Sequence, residues 1–326
     1  MRRMDLIDIY ILEILQTYAS EKNKMTQEQL IKHLEDEYLM KVSRRTLMEY
    51  LSVLREKNYI VGKRGFYKVN EFSDSELRLL IDGVLFGKHV PEAEAPKIIE
   101  KLKIMSNENL KNRIRHVHYI NQIQHTDNNS LYEVLDALDD AIERNKQVEI
   151  TSCSYNVAGE LVEGGTRIVS PYYIVTSKSM YYLLCYAGRN DDIENRRLDR
   201  ISKVKVLNEK SVEIRSLSKY KNGSFDLATY MKEHIYMFSG DSENIVLKVK
   251  IKSIGDVIDW YGKGYRILIE DNEFVTICIK ANSNAVYYWA MQYGSNVEVI
   301  EPVSLREKIK CGLKEILEKY KEGLDG

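Results

Sequence analysis

Residues 180–201 read MYYLLCYAGRNDDIENRRLDRI, a stretch that combines an aromatic segment with a run of arginines. Tyr181, Tyr182 and Tyr186 stand among aliphatic residues, which is typical of a β-strand. The charged run that follows contains Arg197 and Arg200. Aromatic rings and guanidinium groups so close in sequence predict either a pocket for a flat or anionic ligand, or an ordinary hairpin with charged edges. The residues alone do not separate these two interpretations.

The composition is that of a globular protein with several domains. The chain has 326 residues, of which 44% are apolar and 30% are charged. A chain of this length usually folds into more than one domain. A formal net charge of −1 excludes a polycation that coats nucleic acid, so any such site is a local patch. The four cysteines lack metal-ligand spacing, which favours reduced thiols. No apolar run is long enough for a membrane span, so we expect a cytoplasmic protein without a membrane partner.

Residues 1–70 have the element order of a winged helix-turn-helix domain. Apolar periodicity predicts a first helix near 5–18. A capping box at Thr26 opens a second helix, and Ser43 is the expected N-cap of a third. A turn at 62–65, with a glycine at each end, then joins two β-rich runs into a hairpin. Three helices followed by a hairpin predict a DNA-binding domain.

A basic patch within residues 41–68 supports that prediction, because these residues carry a net charge of +6. The first turn of a recognition helix meets base edges and phosphates, and a wing reaches an adjacent groove or phosphate. The predicted DNA-binding residues are Ser43, Arg44, Arg45 and Thr46 in the third helix, with Lys63 and Arg64 in the hairpin. The alternative is a set of solvated charges with no partner.

Three further segments follow along the chain. Residues 71–145 lack strand alternation and predict a helical connector, which could also pair with its copy in a dimer. Period-two alternation over 146–210 predicts short antiparallel strands in a small barrel or curled sheet. Residues 240–326 show a βαββαβ pattern before a terminal helix, which is the ferredoxin-like α+β order. The predicted fold class is therefore α+β with several domains.

No motif indicates catalysis or a cofactor. The sequence has no P-loop, nucleophile elbow or zinc-protease motif. The glycines at 262–267 lack the strand-to-helix setting of a dinucleotide loop. His116 and His118 have no further ligand at metal spacing beside them, so they predict no metal site. We therefore predict a binding protein, with no enzymatic activity, cofactor or metal.

The chain resembles the WYL-domain transcriptional regulators of bacteria. Tyr181-Tyr182-Leu183 is similar to the Trp-Tyr-Leu triplet that names the family, with Tyr at its first position. The family's Arg-Leu-Asp-Arg run is present at 197–200. The segment YYWAMQYGSNVEVIEPVSLREKI, residues 287–309, is similar to the end of the extension domain that accompanies WYL domains. The resemblance covers the winged helix, the central barrel and the extension domain in that order.

This resemblance implies an Sm-like, SH3-type barrel over 146–210 that binds a ligand and thereby changes DNA binding by the first domain. It also implies a homodimer, and a nucleotide or single-stranded nucleic acid as the effector. Arg196 departs from the family, where an aromatic residue is common, and implies weaker stacking with a preference for phosphate. Asp199 is expected to hold Arg197 in one rotamer. The expected ligand-binding residues are Tyr155, Ser170, Tyr182, Arg197 and Arg200.

Strand alternation limits how these residues act together. It puts Arg197 and Arg200 on opposite faces, so a regular strand cannot present both to one ligand unless a bulge or strand end re-aims one of them. Stacked aromatic rings with basic groups are how single-stranded nucleic acid is held. The expected function is a ligand-responsive regulator that binds a double-stranded DNA operator. The alternative is a constitutive architectural DNA-binding protein whose central barrel only supports dimerisation.

Overall fold

The computed structural model describes residues 5–70, 72–105, 126, 128–221 and 225–321. The chain divides into two compact units, Met1–Asp127 and Asn128–Gly326. Ten helices and several antiparallel sheets in the described residues make it an α+β protein with several domains, which confirms the predicted class. His116, His118 and part of the predicted connector lie outside the described residues. Within the described ranges, no helix combines the length and the apolar character needed to cross a membrane.

The first unit contains helices followed by a short hairpin and further helices. The described helices are α1 (Leu6–Tyr18), α2 (Gln27–Tyr38), α3 (Arg44–Glu56), α4 (Asp74–Phe86) and α5 (Ala95–Ile104). Strands β1 (Ile60–Val61) and β2 (Tyr67–Lys68) pair antiparallel after α3. Local chemistry sets the starts of α1 to α4, because in each of them a preceding side chain accepts a hydrogen bond from a first-turn amide. These capping residues are Asp5, Thr26, Ser43 and Ser73.

Helices α1, α2 and α3 share one apolar core with the hairpin. Their buried residues recur every three or four positions, which puts them on one face of each helix. This core includes Ile11, Ile14, Leu15, Leu30, Leu34, Leu47, Leu51, Leu54, Ile60 and Phe66. Phe66 is buried in it, and its backbone pairs with Met25 ahead of α2. The hairpin is therefore fixed to the helices at both its side chains and its backbone.

The turn of this hairpin requires a glycine at position 62. Gly62 has a φ of +126°, and an added Cβ would lie 1.8 Å from the carbonyl oxygen of Gly65. Gly62→Ala should therefore destabilise the first unit, by on the order of 1–3 kcal/mol. Urea unfolding followed by far-ultraviolet circular dichroism measures this change.

Gly83→Ala is the matched control in the same unit. Gly83 lies in the exposed middle of α4 with no atom within 4 Å of an added Cβ, so alanine should stabilise the unit by about 1 kcal/mol. Trp260 and Trp289 are the two tryptophans of the chain and lie in the second unit. Tryptophan fluorescence therefore follows the second unit alone and should not change in either variant. Equal unfolding midpoints for the two variants would contradict this account of the turn.

The second unit begins with α6 (Leu131–Glu143), which packs on a five-stranded antiparallel sheet. Its strands are β3 (Lys146–Tyr155), β4 (Leu161–Ser177), β5 (Met180–Tyr186), β6 (Glu194–Arg197) and β7 (Ile201–Lys210). The order across the sheet is β6-β5-β4-β3-β7. The long strand β4 pairs with β3 over its first half and with β5 over its second half. An irregularity between Pro171 and Tyr173 interrupts the second pairing, as bulges do where a strand bends.

The sheet is open, which corrects the barrel expected from the sequence. Among the described residues, β6 and β7 form the two edges and are not hydrogen-bonded to each other. Strand β6 has four residues, and the chain leaves it through a 3-10 turn at Leu198–Arg200 before β7 begins. Closing a barrel requires edge strands that pair along their length. The antiparallel strands predicted for this segment are present, and they form an open five-stranded sheet.

The remainder of the second unit starts with α7 (Leu227–Glu233) and contains a second sheet. The βαββαβ elements are β8 (Ser242–Lys250), α8 (Ile254–Tyr261), β9 (Arg266–Glu270), β10 (Phe274–Asn282), α9 (Ser283–Gln292) and β11 (Val297–Glu301), followed by α10 (Val303–Lys321). The strands lie in the order β11-β8-β10-β9, all antiparallel. Ile245, Leu247, Ile277 and Trp289 are buried in its core. The element order predicted for this segment is present.

Candidate functional site

The pairing of β5 with β6 places Tyr182 beside Arg197. Tyr182 lies opposite Arg197, and Leu183 lies opposite Arg196. Cross-strand partners project from the same face, so Tyr182 and Arg197 share a face that excludes Arg196. Burial raises the pKa of the half-buried Tyr182 hydroxyl, although the neighbouring Arg197 opposes that effect. The hydroxyl therefore stays protonated at neutral pH and can donate a hydrogen bond to a ligand.

The 3-10 turn brings Arg200 close to Arg197. Strand β6 ends at Arg197 and β7 begins at Ile201, so the two-residue alternation of a strand does not continue through the turn. Nε and Nη2 of Arg197 donate to Oδ1 and Oδ2 of Asp199 at 3.0 and 2.7 Å. Nε of Arg200 lies 3.7 Å from the same Oδ2. One carboxylate therefore contacts both arginines.

Asp199 holds these two arginines from a buried position. Asp199 is 8% exposed, whereas the side chains of Arg197 and Arg200 are 36% and 31% exposed. The hydrogen bonds that Arg197 donates to Asp199 are the main cause that raises the pKa of Arg197, so this guanidinium stays charged. Two guanidinium groups against one carboxylate leave a net positive charge facing solvent. A guanidinium has five N–H donors, so Arg197 can contact a ligand while it remains paired with Asp199.

Tyr155 completes the cluster at the end of β3. The guanidinium carbon of Arg200 lies 4.2 Å from the centre of the Tyr155 ring, which is a cation–π contact. Tyr155 is 39% exposed. We call the cluster of Tyr155, Tyr182, Arg197, Asp199 and Arg200 the arginine–tyrosine site. It offers aromatic faces, a protonated hydroxyl and two fork-shaped donors within a small area, which suits a flat anionic ligand.

Ser170 is not brought to the arginine–tyrosine site. It is 1% exposed, and its hydroxyl accepts a hydrogen bond from the amide of Val212 at 2.9 Å. Its partner on β5 is Tyr186, four residues and about 13 Å along the strand from Tyr182. The Ser170 hydroxyl thus fixes the segment that follows β7 and does not face a ligand there.

Arg196 also points away from the site. It lies on the opposite face of β6, where its Nη2 is 2.5 Å from Oε2 of Glu194 and its side chain is 22% exposed. Arg167 lies 3.9 Å from the same carboxylate oxygen. The guanidinium that distinguishes this sequence from the family therefore serves an ion-pair cluster on the other face, and it adds no phosphate contact to the arginine–tyrosine site.

Two residues at the site were missed from the sequence. Nη2 of Arg197 lies 3.6 Å from the sulfur of Met180, and the thiol of Cys153 donates to the backbone oxygen of Asp199 at 3.8 Å. Burial raises the pKa of Cys153, which makes it a protonated packing residue at neutral pH. Met180 stands two residues before Tyr182, and Cys153 stands two residues before Tyr155. Residues two apart on a strand project from the same face, so strand alternation was the signal that could have identified both.

The predicted DNA-binding residues lie at the start of α3 and in the hairpin turn. Arg44, Arg45 and Thr46 form the first turn of α3, and Ser43 precedes them as the N-cap. Lys63 and Arg64 lie in the hairpin turn. The hydroxyl of Ser43 caps α3 by accepting from the amide of Thr46 at 3.1 Å. The Arg45 side chain is 93% exposed. Arg44 is 70% exposed and pairs with Glu28 of α2, an exposed pair of about 0–1 kcal/mol that a phosphate can replace.

A groove of about 670 Å³ lies elsewhere in the second unit, between β8, β11 and α10. Met291, Val299 and Leu313 give it apolar walls, and Lys250 and Lys314 also line it. The predicted ligand-binding residues do not line this groove. In the part of the chain that the structure describes, no group of three or more His, Cys, Asp or Glu residues is arranged to hold a metal ion.

Two domain families match this chain. The WYL domain matches residues 133–206, from α6 into β7, and the WCX domain matches residues 266–317. The chain therefore carries a WYL domain followed by a WCX domain, and the arginine–tyrosine site lies within the WYL domain.

Among solved structures, the chain is similar to proteasome accessory factor B/C (PafBC) of Arthrobacter aurescens, at 15% identity and a TM-score of 0.30. The match covers 96% of this chain and 48% of PafBC, so the chain spans about half the length of that protein. The chain is also similar to a CRISPR Cas-related protein, at 13% identity and a TM-score of 0.40, with coverage of 98% and 84%. Both TM-scores are too low to establish a shared fold. No curated protein matches the chain.

Proposed function

We propose that this protein is a cytoplasmic transcriptional regulator with two binding sites and no catalysis. Its first unit binds an operator in duplex DNA, and its WYL domain binds a nucleotide or single-stranded nucleic acid that changes operator binding. The observation that carries this proposal is the arginine–tyrosine site, where one buried carboxylate positions two arginines beside two tyrosines. A domain that only supported dimerisation would not need this partly exposed cluster.

The chemistry of this site suits a nucleic acid ligand. Arg197 and Arg200 can each make fork-shaped contacts to phosphate, which lysine cannot make. The Tyr182 ring supplies a stacking face, and stacking of a base on an aromatic side chain contributes about 1–3 kcal/mol. The open five-stranded sheet and the 3-10 turn before β7 leave the two arginines and the two tyrosines partly exposed, where a nucleic acid strand could reach them.

The first unit is proposed to act as a winged helix-turn-helix domain. Helix α3 would enter the major groove with Arg44 and Arg45 at its first turn, where the helix dipole also favours phosphate. The hairpin would act as the wing and carry Lys63 and Arg64, both exposed. Two copies related by a two-fold axis would present two α3 helices to a roughly palindromic operator.

The proposed regulation requires the ligand to prefer one state of this homodimer. To move the homodimer from a 1:99 to a 99:1 ratio of its two states, the ligand must bind the favoured state about 5.5 kcal/mol more tightly than the other. The alternative function is a constitutive architectural protein, in which the WYL domain supports assembly only. The two functions differ in one observable, because only the regulator changes its operator affinity when ligand is added.

Selection from random duplex DNA with the full chain tests this function. The selection should enrich a pair of half-sites about 10–10.5 base pairs apart, or a multiple of that spacing, and binding should weaken as salt is raised. A short single-stranded DNA added in excess should then change the affinity for the enriched duplex. An affinity that stays constant at saturating single strand would favour the architectural alternative. Failure to enrich any duplex would reject a DNA-binding function.

A further inference from the structure

Helix α10 presents an exposed apolar stripe to the groove between β8, β11 and α10, which we call the α10 groove. Ile309, Leu313 and Leu317 line this groove and recur every four residues of α10. Residues four apart lie on one face of a helix, so the stripe is continuous over about 12 Å. Leu313 and Leu317 are 51% and 55% exposed. Contiguous apolar surface that faces solvent often marks a binding site.

The other walls of the α10 groove contribute apolar surface too. Val297 and Val299 of β11 line it, and so does Met291 in the last turn of α9. The groove has a volume of about 670 Å³, and pockets that bind small molecules measure about 300–1,000 Å³. Its size and its walls therefore suit an aliphatic chain.

Basic side chains border this apolar surface. The groove is lined by five cations and by one carboxylate, that of Glu298. On α10, three of the cations recur every four residues, so they form a second stripe beside the apolar one. The five cations are Lys248 and Lys250 of β8, and Arg306, Lys310 and Lys314 of α10. The α10 groove therefore combines apolar walls with a net positive charge.

Two of these cations lack an acidic partner among the described residues. Arg306 and Lys310 are paired with carboxylates at 2.6 and 3.1 Å. Lys250 and Lys314, by contrast, form no ion pair with any residue that the structure describes. Binding sites are complementary in charge to their ligands, so this groove is suited to a molecule that joins a negative charge to an apolar body.

The α10 groove does not have the features that hold a nucleic acid strand. Single strands are held by exposed aromatic rings on which their bases stack. Phe274 is the aromatic residue in the lining, and the ammonium of Lys248 lies 4.4 Å from the centre of its ring. A cation–π contact thus already occupies a face of that ring. The remaining apolar surface is that of aliphatic side chains and methionine, which favours an alkyl chain over a base.

We propose that the α10 groove binds a fatty carboxylate. Its alkyl chain lies against Ile309, Leu313 and Leu317, and its carboxylate lies in the positive field of Lys250 and Lys314. The site is separate from the arginine–tyrosine site, because the lining of the groove contains none of the residues of that cluster. The inference therefore goes beyond the proposed function and holds whether or not the WYL domain binds nucleic acid.

Isothermal titration calorimetry of the full chain with octanoate, decanoate and dodecanoate tests this site. One carboxylate should bind per chain. Each methylene that leaves water should raise the affinity by about fourfold, so affinity should rise by about tenfold or more for each two-carbon step. Decanol has the same alkyl chain without the charge, and it should bind about tenfold more weakly than decanoate.

Two variants separate the charge from the apolar stripe. K250Q/K314Q removes the two unpaired ammonium groups and should weaken decanoate binding by about tenfold while leaving decanol binding unchanged. Leu313→Asn should weaken the binding of both ligands, and circular dichroism should show that this half-exposed position tolerates the change. The matched control is K252Q/K319Q, which removes two charges from exposed residues that do not line the groove. It should bind decanoate as the unmodified chain does.

Several results would overturn the proposal. They are an absence of dodecanoate binding, an affinity that does not depend on chain length, a K250Q/K314Q variant that binds decanoate as tightly as its control, and decanol that binds as tightly as decanoate. Arg197→Ala should leave decanoate binding unchanged, and its loss in that variant would assign the carboxylate to the arginine–tyrosine site instead. A short single-stranded DNA that displaces decanoate from R197A would assign the groove to nucleic acid.

Discussion

Replacing Arg44 and Arg45 together with alanine should abolish operator binding while the first unit keeps its fold. Both side chains are largely exposed at the start of α3, so their truncation leaves no cavity in the core. An arginine contact to a base or phosphate contributes about 1–3 kcal/mol. A homodimer loses four such contacts, so operator affinity should fall by about a thousandfold or more. Fluorescence anisotropy with the selected duplex measures the change.

A double variant elsewhere on the first unit controls for the lost charge. Lys97 and Lys101 are exposed on α5, one helical turn apart, and their replacement by alanine removes the same two charges. K97A/K101A should leave operator affinity almost unchanged. Circular dichroism of both double variants should match that of the unmodified chain. Operator affinity that survives R44A/R45A would show that α3 is not the recognition helix.

Arg197→Ala should remove the response to a single-stranded DNA ligand while leaving operator binding in place. The change deletes one of the two guanidinium forks and leaves Asp199 without its two hydrogen bonds from Arg197, so the carboxylate then repels an anionic ligand. A hydrogen bond to a charged group contributes about 1.5–3 kcal/mol, so ligand affinity should fall by about tenfold to a hundredfold. Anisotropy of a labelled short single strand, titrated with the full chain at two salt concentrations, measures this loss.

Arg196→Ala is the control that the geometry supplies. It removes the same charge from the neighbouring residue but on the opposite face of β6, so ligand affinity should be retained. Arg197→Lys keeps the charge without the fork and should give an intermediate affinity. Equal losses for R196A and R197A would contradict the assignment of faces. An unchanged ligand response in R197A would move the sensing site elsewhere, and the groove lined by Lys250 and Lys314 is then the next place to test.

Features of the fold that depend on neighbouring residues could be predicted from the sequence. The N-caps at Thr26, Ser43 and Ser73 lie within three residues of the amides that they cap, so the starts of α2, α3 and α4 were readable. The βαββαβ order of the last segment was readable for the same reason, since alternation and helical periodicity are local patterns.

Features that depend on distant residues could not be predicted in this way. Period-two alternation does not reveal that the chain breaks into a 3-10 turn between β6 and β7, where Leu198 is fully buried in the core beneath α6. That break decides whether Arg197 and Arg200 meet. Ser170 was misplaced because its position depends on where the long strand β4 changes partners, from β3 to β5.

The position of Asp199 between the two arginines has a consequence for which anions the proposed ligand site would accept. Asp199 already holds the two guanidinium groups side by side, so a ligand would not have to bring two positive charges together. The arginines are therefore preorganised, and little rearrangement of their side chains opposes binding. The same carboxylate cancels part of the positive potential. Chloride and small monocarboxylates, which offer one charge and no ring, therefore gain little by entering. If the arginine–tyrosine site binds the proposed ligand, Asp199 should therefore also discriminate against abundant small anions, before any base is stacked on a tyrosine.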